Sequence, residues 1–373
     1  MLLKNHGQEA ALLSLEKEPL LQPVLALTDF LTLCLDPPLV ASVTRSEPAV
    51  QLQVCHLSPS RHALLYKPMP LRTAQTFDKI HQLNDHLSLI SFADSPGYLL
   101  FHLTFKTVVF QSNSGGSVSA VHPFKSDGDE RSAQTLVAIA FSQAGRAEVY
   151  VYKLAEENSP DLPYRCNLEL LSTKTELPMP VTHIDSWNGP KGEVFLAMAS
   201  GHIVYVFKLL KVGDSGQAAL KCLTLQDLDF EVVGARFLPP AAENEVCRLL
   251  TANKEEGLTL FALAHRTKKT YRLNLLACEQ EDEQGLTPAR RVTCVNAYQT
   301  ESGPNVLSLT EDGVLYAHRI AASDSDSSGS LPTASSADQN LQKFKFERAW
   351  TRHLHDTYHR IHIQGSKIVV QGI

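Results

Sequence analysis

The sequence predicts an all-β chain folded as a seven-bladed β-propeller. Three observations carry that reading. A unit of three short β-branched or aromatic runs, joined by turn residues, recurs along the chain. Four of these units place a glycine in the turn between the second and third runs, at Gly145, Gly201, Gly257 and Gly313, spaced 56, 56 and 56 residues apart. Long helical periodicity is scarce: one stretch, residues 72–83, has apolar residues at near-helical spacing.

Taken in order, residues 10–15 and 23–28 are two apolar runs with no unit of their own. Residues 30–35, 39–43 and 50–57 form a first unit. Residues 72–83, with Ala74, Phe77, Ile80 and His81 in register, are expected to form a surface helix between the first two units. The second unit runs 87–92, 98–104 and 107–111. The next four are the clearest. They open at Val118, Val181, Val233 and Val292, pass through the apolar runs 135–142, 194–199, 245–251 and 306–309, and close on 149–154, 203–209, 258–263 and 314–320. A fourth run follows each of them, at 164–171, 218–225, 271–277 and 343–349. Four strands per 50 to 60 residues is the content of a propeller blade. The last unit, 358–363 and 367–373, is two strands short, so the N-terminal runs are expected to complete it and hide its edges.

These units resemble those of divergent WD40-like β-propellers, over residues 30 to the end. The likeness lies in pattern. Where that family often ends its third strand in Trp-Asp, this chain has Tyr152-Lys153, Phe207-Lys208, Phe261-Ala262 and His318-Arg319. The aromatic residue survives in several and the aspartate in none. Gly201-His202 abuts the third strand and is not the family's Gly-His pair, so a propeller outside that family stays open.

The 373 residues read as a single propeller domain, with residues 321–340 inserted between late strands as a disordered loop. That segment is Ser, Asp, Ala and Thr with almost nothing apolar, and cannot bury enough surface to order itself. Within it, Ser323 and Ser325 lie in an acidic context that suits an acidophilic kinase; a plain solvated linker is the other reading.

Composition narrows the function. Apolar residues are 43% and charged residues 20%, enough for a large core, and 19 glycines exclude low complexity. A formal charge of −6 does not prepare a surface for nucleic acid or anionic membrane. The basic cluster at 265–272 reads as a charged hairpin edge, with a phosphate-binding role as the other reading. No apolar run approaches the roughly 20 residues of a membrane span, and the N-terminus has neither a secretory nor a mitochondrial pattern, so the cytoplasm and/or nucleus is expected. Seven scattered cysteines without C-x-x-C spacing read as reduced core residues.

No catalytic or nucleotide-binding motif is present. His353, His355, His359 and His362, with Asp356, are the candidate metal ligands, since neutral imidazole binds borderline metals. Odd separations along a strand point to opposite faces, which favours a hydrogen-bonded patch. Asp29, Asp36, Asp94, Asp185 and Asp312 are placed at strand ends or turns, and Trp187 and Trp350 in the core, with an interface anchor as the other use of each tryptophan. No cofactor is expected. The resulting expectation is a non-catalytic protein–protein interaction scaffold, a subunit of a stable multiprotein complex, with no small-molecule substrate. The alternative is a hydrolase-type propeller enzyme with its site at the mouth of the central channel.

Overall fold

The computed structural model describes residues 10–14, 22–25, 29–35, 38–46, 49–57, 62–64, 69–71, 77–84, 86–92, 96–102, 107–112, 116–126, 134–157, 164–212, 217–241, 245–255, 257–267, 270–278, 291–300, 303–322, 344–354, 358–364 and 367–372. Among them there is no helix; the regular structure is thirty strands in seven antiparallel sheets.

The chain begins with β1 (Ala10–Ser14) and β2 (Gln22–Leu25), which belong to the last sheet. The first complete sheet is β3 (Asp29–Leu35), β4 (Pro38–Ser46) and β5 (Ala49–Leu57), with β6 (His62–Leu64) and β7 (Met69–Leu71) both paired to β5. The second is β8 (Phe77–Gln82), β9 (Leu87–Phe92), β10 (Tyr98–His102) and β11 (Thr107–Ser112). The third is β12 (Ser117–Ser126), β13 (Gln134–Gln143), β14 (Arg146–Glu157) and β15 (Arg165–Leu170), with β16 (Thr175–Leu177) also on β14. The fourth is β17 (Val181–Asn188), β18 (Val194–Ser200), β19 (Ile203–Val212) and β20 (Gln217–Asp227). The fifth is β21 (Val232–Leu238), β22 (Glu245–Asn253), β23 (Gly257–His265) and β24 (Tyr271–Cys278). The sixth is β25 (Val292–Thr300), β26 (Gly303–Thr310), β27 (Val314–Ala322) and β28 (Phe344–His353). The seventh joins the two ends of the described chain. β29 (Tyr358–Gln364) pairs β30 (Lys367–Gly372), β1 pairs β30 from Ala10↔Gln371 to Ser14↔Lys367, and β2 pairs β1. The expected completion of the last unit by the N-terminal runs is therefore what the pairing shows.

The first strands of successive sheets pack on one another in cyclic order: β3 on β8, β8 on β12, then β17, β21, β25, β29, and β29 again on β3. The approach is close. A Cβ on Gly234 of β21 would lie 2.5 Å from Val295 Cγ1 of β25.

The core lies between sheets. In β18, Leu196 and Met198 pack toward the third sheet, among Ala138, Val149 and Val151. Phe195, Ala197 and Ala199 pack toward the fifth, among Leu249 and Leu263. Every residue of β18 is buried. A strand covered on both faces needs apolar side chains at both parities. This is why the second run of each unit is continuously apolar and does not alternate.

A β-bulge recurs near the start of the first strand, at Ser119, Thr182, Val233 and Thr293, each after a valine that is at most 2% exposed. In three of them the hydroxyl of the bulged residue donates to a carbonyl of the second strand: Ser119 to Ala140 (3.3 Å), Thr182 to Ala199 (3.5 Å) and Thr293 to Leu309 (3.2 Å). The four turn glycines all have positive φ, from 60° to 83°. In the turn of β13 and β14, Ala144 also has φ 51°. A left-handed backbone costs an L-residue roughly 1–2 kcal/mol, and Asn-Gly suits this two-residue hairpin. Ala144→Asn should therefore raise stability by about 1 kcal/mol and the melting temperature by about 2 °C; a lower melting temperature would contradict the turn assignment.

The expected helix at 72–83 is overturned. Residues 77–82 form β8, the first strand of the second sheet, and 72–76 lie outside the described residues. Phe77 pairs Phe92 and Ile80 pairs Ile90, so a bulge absorbs one residue. That extra residue spaces the apolar positions by three, which mimics one helical turn. Of the residues expected as a disordered loop, 321–340, Ala321 and Ala322 belong to β27; 323–340, with Ser323 and Ser325, lie outside the described residues.

Candidate functional site

The bulge sets a common register. Counting four residues on from the residue before it reaches His81 in β8, His122 in β12, Asp185 in β17, Arg236 in β21, Asn296 in β25 and His362 in β29. Each pairs with a second-strand residue three back along that strand: Leu89, Ala138, Ala197, Leu250, Leu307 and Val369. One polar residue per first strand thus sits at one level of the repeat. His81, His122, Asp185, Arg236 and Asn296 are half-buried. In the first sheet the same count, from the bulge at Leu33, reaches Asp36, outside the described residues.

Much of this level is spent on holding sheets together. Asp185 accepts the Phe237 backbone N–H at 2.6 Å on Oδ2 and the Arg236 Nη1 at 3.3 Å on Oδ1, which clips β17 to β21. On the other side, Ser186 Oγ lies 2.9 Å from His122 Nε2, and Asn188 Nδ2 donates to the Lys125 carbonyl at 3.0 Å, which clips β17 to β12. Asn296 Nδ2 donates to the Ile361 carbonyl at 3.1 Å, from β25 to β29.

Burial controls the ionisation of the two histidines. It holds His122 below the ordinary imidazole value; Asp185 opposes this and the Arg236 charge adds to it. His183, on β17, is driven well below that value by burial and by the positive charges of Arg236 and His122. The His122 side chain keeps 19% of its surface accessible, but the ring sits within the wall and loses its hydration. His183 Nε2 and Arg236 Nε are buried without a hydrogen-bond partner among the described residues.

The Ser186–His122 contact beside a carboxylate bears on hydrolytic chemistry. A relay needs the carboxylate on the imidazole nitrogen remote from the nucleophile. Here Asp185 Oδ1 stands 3.9 Å from the same Nε2 that meets Ser186, and both carboxylate oxygens serve the fifth sheet. The arrangement is a set of clips and not a relay.

Of the residues named from sequence, Asp185 and His362 fall on this level and the other described ones do not. His353 is exposed at the end of β28, His355 and Asp356 lie outside the described residues, and His359 is the unpaired residue of the bulge in β29 three positions before His362. Among the described residues no group of three or more His, Cys, Asp or Glu is arranged to hold a metal. Asp185 was placed at a strand end and instead lies within β17. Asp312 is in the β26–β27 turn, where Thr310 Oγ1 donates to it; Asp36 and Asp94 lie outside the described residues. Trp187 packs between the fourth and fifth sheets and Trp350 against the core of the sixth and seventh, as expected of core residues. Of the free cysteines, Cys166 and Cys247 are buried. Cys222 and Cys278 are exposed on outer strands, against the expectation of core use. The described residues of the basic cluster, 265–267 and 270–272, lie where β23 turns into β24, with Arg266 N–H donating to the Thr270 carbonyl at 2.8 Å; 268–269 lie outside the described residues. No described helix is long and apolar enough to cross a membrane.

No family model matches the chain, and no curated protein matches it. Among solved structures, the crystal structure of BBS1N in complex with ARL6DN, soaked with lead, matches 93% of this chain and 91% of that chain, with 8% identity and a TM-score of 0.50. A structure of the same pair soaked with mercury matches 72% of this chain and 73% of that chain, with 10% identity and a TM-score of 0.41. At such identity the first likeness fixes the fold alone: the chain has the fold of a divergent β-propeller.

Proposed function

We propose that this chain is a seven-bladed, WD40-like propeller that acts without catalysis, as an interaction subunit of a stable complex in the cytoplasm and/or nucleus. The observation that carries the reading is the use of Asp185, Ser186, His122 and Asn296 as clips between sheets. Polar groups consumed in this way stiffen a frame and are not free to turn over a substrate. Loops on a stiff frame are where binding resides. The structure that shares the fold is itself of a complex, BBS1N with ARL6DN. The net charge of −6 speaks against nucleic acid as the partner.

The hydrolase reading has one point in its favour, the Ser186–His122 contact at 2.9 Å. Purification of tagged full-length protein from its own cells, with quantitative mass spectrometry, separates the two. A stoichiometric protein partner is expected. Replacing the segments 127–133, 242–244 and 280–286, which lie outside the described residues, one at a time should lose that partner in at least one case with an unchanged melting temperature. A partnerless monomer that turns over an ester or peptide substrate, and loses that activity in Ser186→Ala, would sink the proposal.

A further inference from the structure

We propose that the polar level of the first strands is a proton-sensitive seam, which holds the third, fourth and fifth sheets together at neutral pH and loosens on mild acidification. The inference stands apart from what the chain binds. It rests on the groups that meet where β12, β17 and β21 pack.

The groups facing one another there are few. From β12 comes His122, stacked on Phe124 of its own strand with ring centroids 6.2 Å apart. From β17 come Ser186, Asp185 and His183. From β21 come Arg236 and the Phe237 N–H. Behind Asp185, on β22, the Cys247 thiol is pushed up by burial and by the charges of Glu245 and Asp185, and so stays neutral. Asp185 is the one carboxylate within these contacts, and it already balances Arg236. With both imidazoles neutral the cluster is charge-balanced. Protonating both would set two imidazolium ions and a guanidinium against one carboxylate.

Burial makes the neutral imidazoles part of the fold's stability. Both histidines have folded-state values below the ordinary 6.5. The unfolded or locally opened chain therefore takes up protons first as pH falls. The stability they hold is fully present above that ordinary value. It is lost progressively as pH drops below 6.5 toward the folded values. The loss is focused because both groups sit on adjacent first strands and both feel the Arg236 charge. His122 would also keep its contact with Ser186 only as a donor, with the Arg236 charge nearby.

Hydrogen–deuterium exchange of the full-length protein at pH 7.4 and 5.5, corrected for the intrinsic rate, tests this. Amides of β12, β17 and β21 are expected to lose protection at least about tenfold, while β22 and β23, further out in the same sheet as β21, change less than about twofold. The double variant His122→Asn/His183→Asn should abolish the difference. Equal loss in all strands, or an undiminished response in the double variant, overturns the proposal. If the double variant does not fold, imidazole C2-proton exchange on the unsubstituted protein decides: titration of His122 and His183 below 6.5 supports the seam, and titration at or above 6.5 overturns it.

Discussion

Removing residues 1–28 is expected to lower the melting temperature by about 10 °C or more, or to leave the chain insoluble. The reason is topological. β1 and β2 are two of the four strands of the seventh sheet, and β1 is the sole partner on one side of β30. The five residue pairs from Ala10↔Gln371 to Ser14↔Lys367 vanish, and the ladder of β30 is left as an open edge. Each lost backbone hydrogen bond costs about 0.5–1.5 kcal/mol net, and an unpaired edge invites pairing with another copy. The larger loss is of closure. β29 packs on β25 before it and on β3 after it, so a half sheet at that position weakens both contacts. Thermal melting and light scattering of the truncated chain measure this. Adding residues 1–28 back as a peptide should restore part of the melting temperature. An unchanged melt in the truncated chain would show that β1 contributes nothing to the seventh sheet.

The strand inventory was legible because burial on both faces imposes continuous apolar runs, and because the tight turn between the second and third strands takes glycine where the backbone is left-handed. The four glycines at positive φ and the runs of β13, β18, β22 and β26 follow from those two constraints. β8 was not legible. Its bulge spaces Phe77 and Ile80 as a helix would, and local spacing cannot tell the two apart until Phe92 and Ile90 are known as partners. The polar level was hidden for a related reason. His122, Asp185, Arg236 and Asn296 share no residue type, so no motif search collects them. They align only when the units are superposed on the valine before the bulge, at 118, 181, 232 and 292. The sequence contained that register, since the valines open the repeated units, but in the fifth sheet two valines, Val232 and Val233, stand side by side and local pattern does not choose between them. The run at 353–362 holds four histidines. Density along a strand is a poor guide to convergence, because consecutive residues face away from one another.

Phe195→Ala is expected to cost about 3–5 kcal/mol, a large part of the 5–15 kcal/mol that holds a typical fold. Phe195 is 0% exposed and lies on the face of β18 that packs against the fifth sheet. Its ring meets Tyr271 of β24 edge-on, at 6.3 Å and 68°, and Lys208 Nζ stands 5.7 Å over its face. Truncation removes the ring from between two sheets whose backbones are fixed by their own ladders, so the cavity cannot close by a shift of one side chain. The cation would also lose the ring and keep only its contact with Glu193. Phe195→Leu, which keeps most of the volume, should cost roughly 1–1.5 kcal/mol. The two variants differ in what they do to Trp187, which packs in the same cluster. In Phe195→Ala water gains access to the indole and its fluorescence should shift to the red, while Phe195→Leu should leave the spectrum near that of the unsubstituted protein. Denaturant unfolding gives the energies. A loss under about 1 kcal/mol in Phe195→Ala, with no spectral shift, would mean that the fourth and fifth sheets do not meet over this ring.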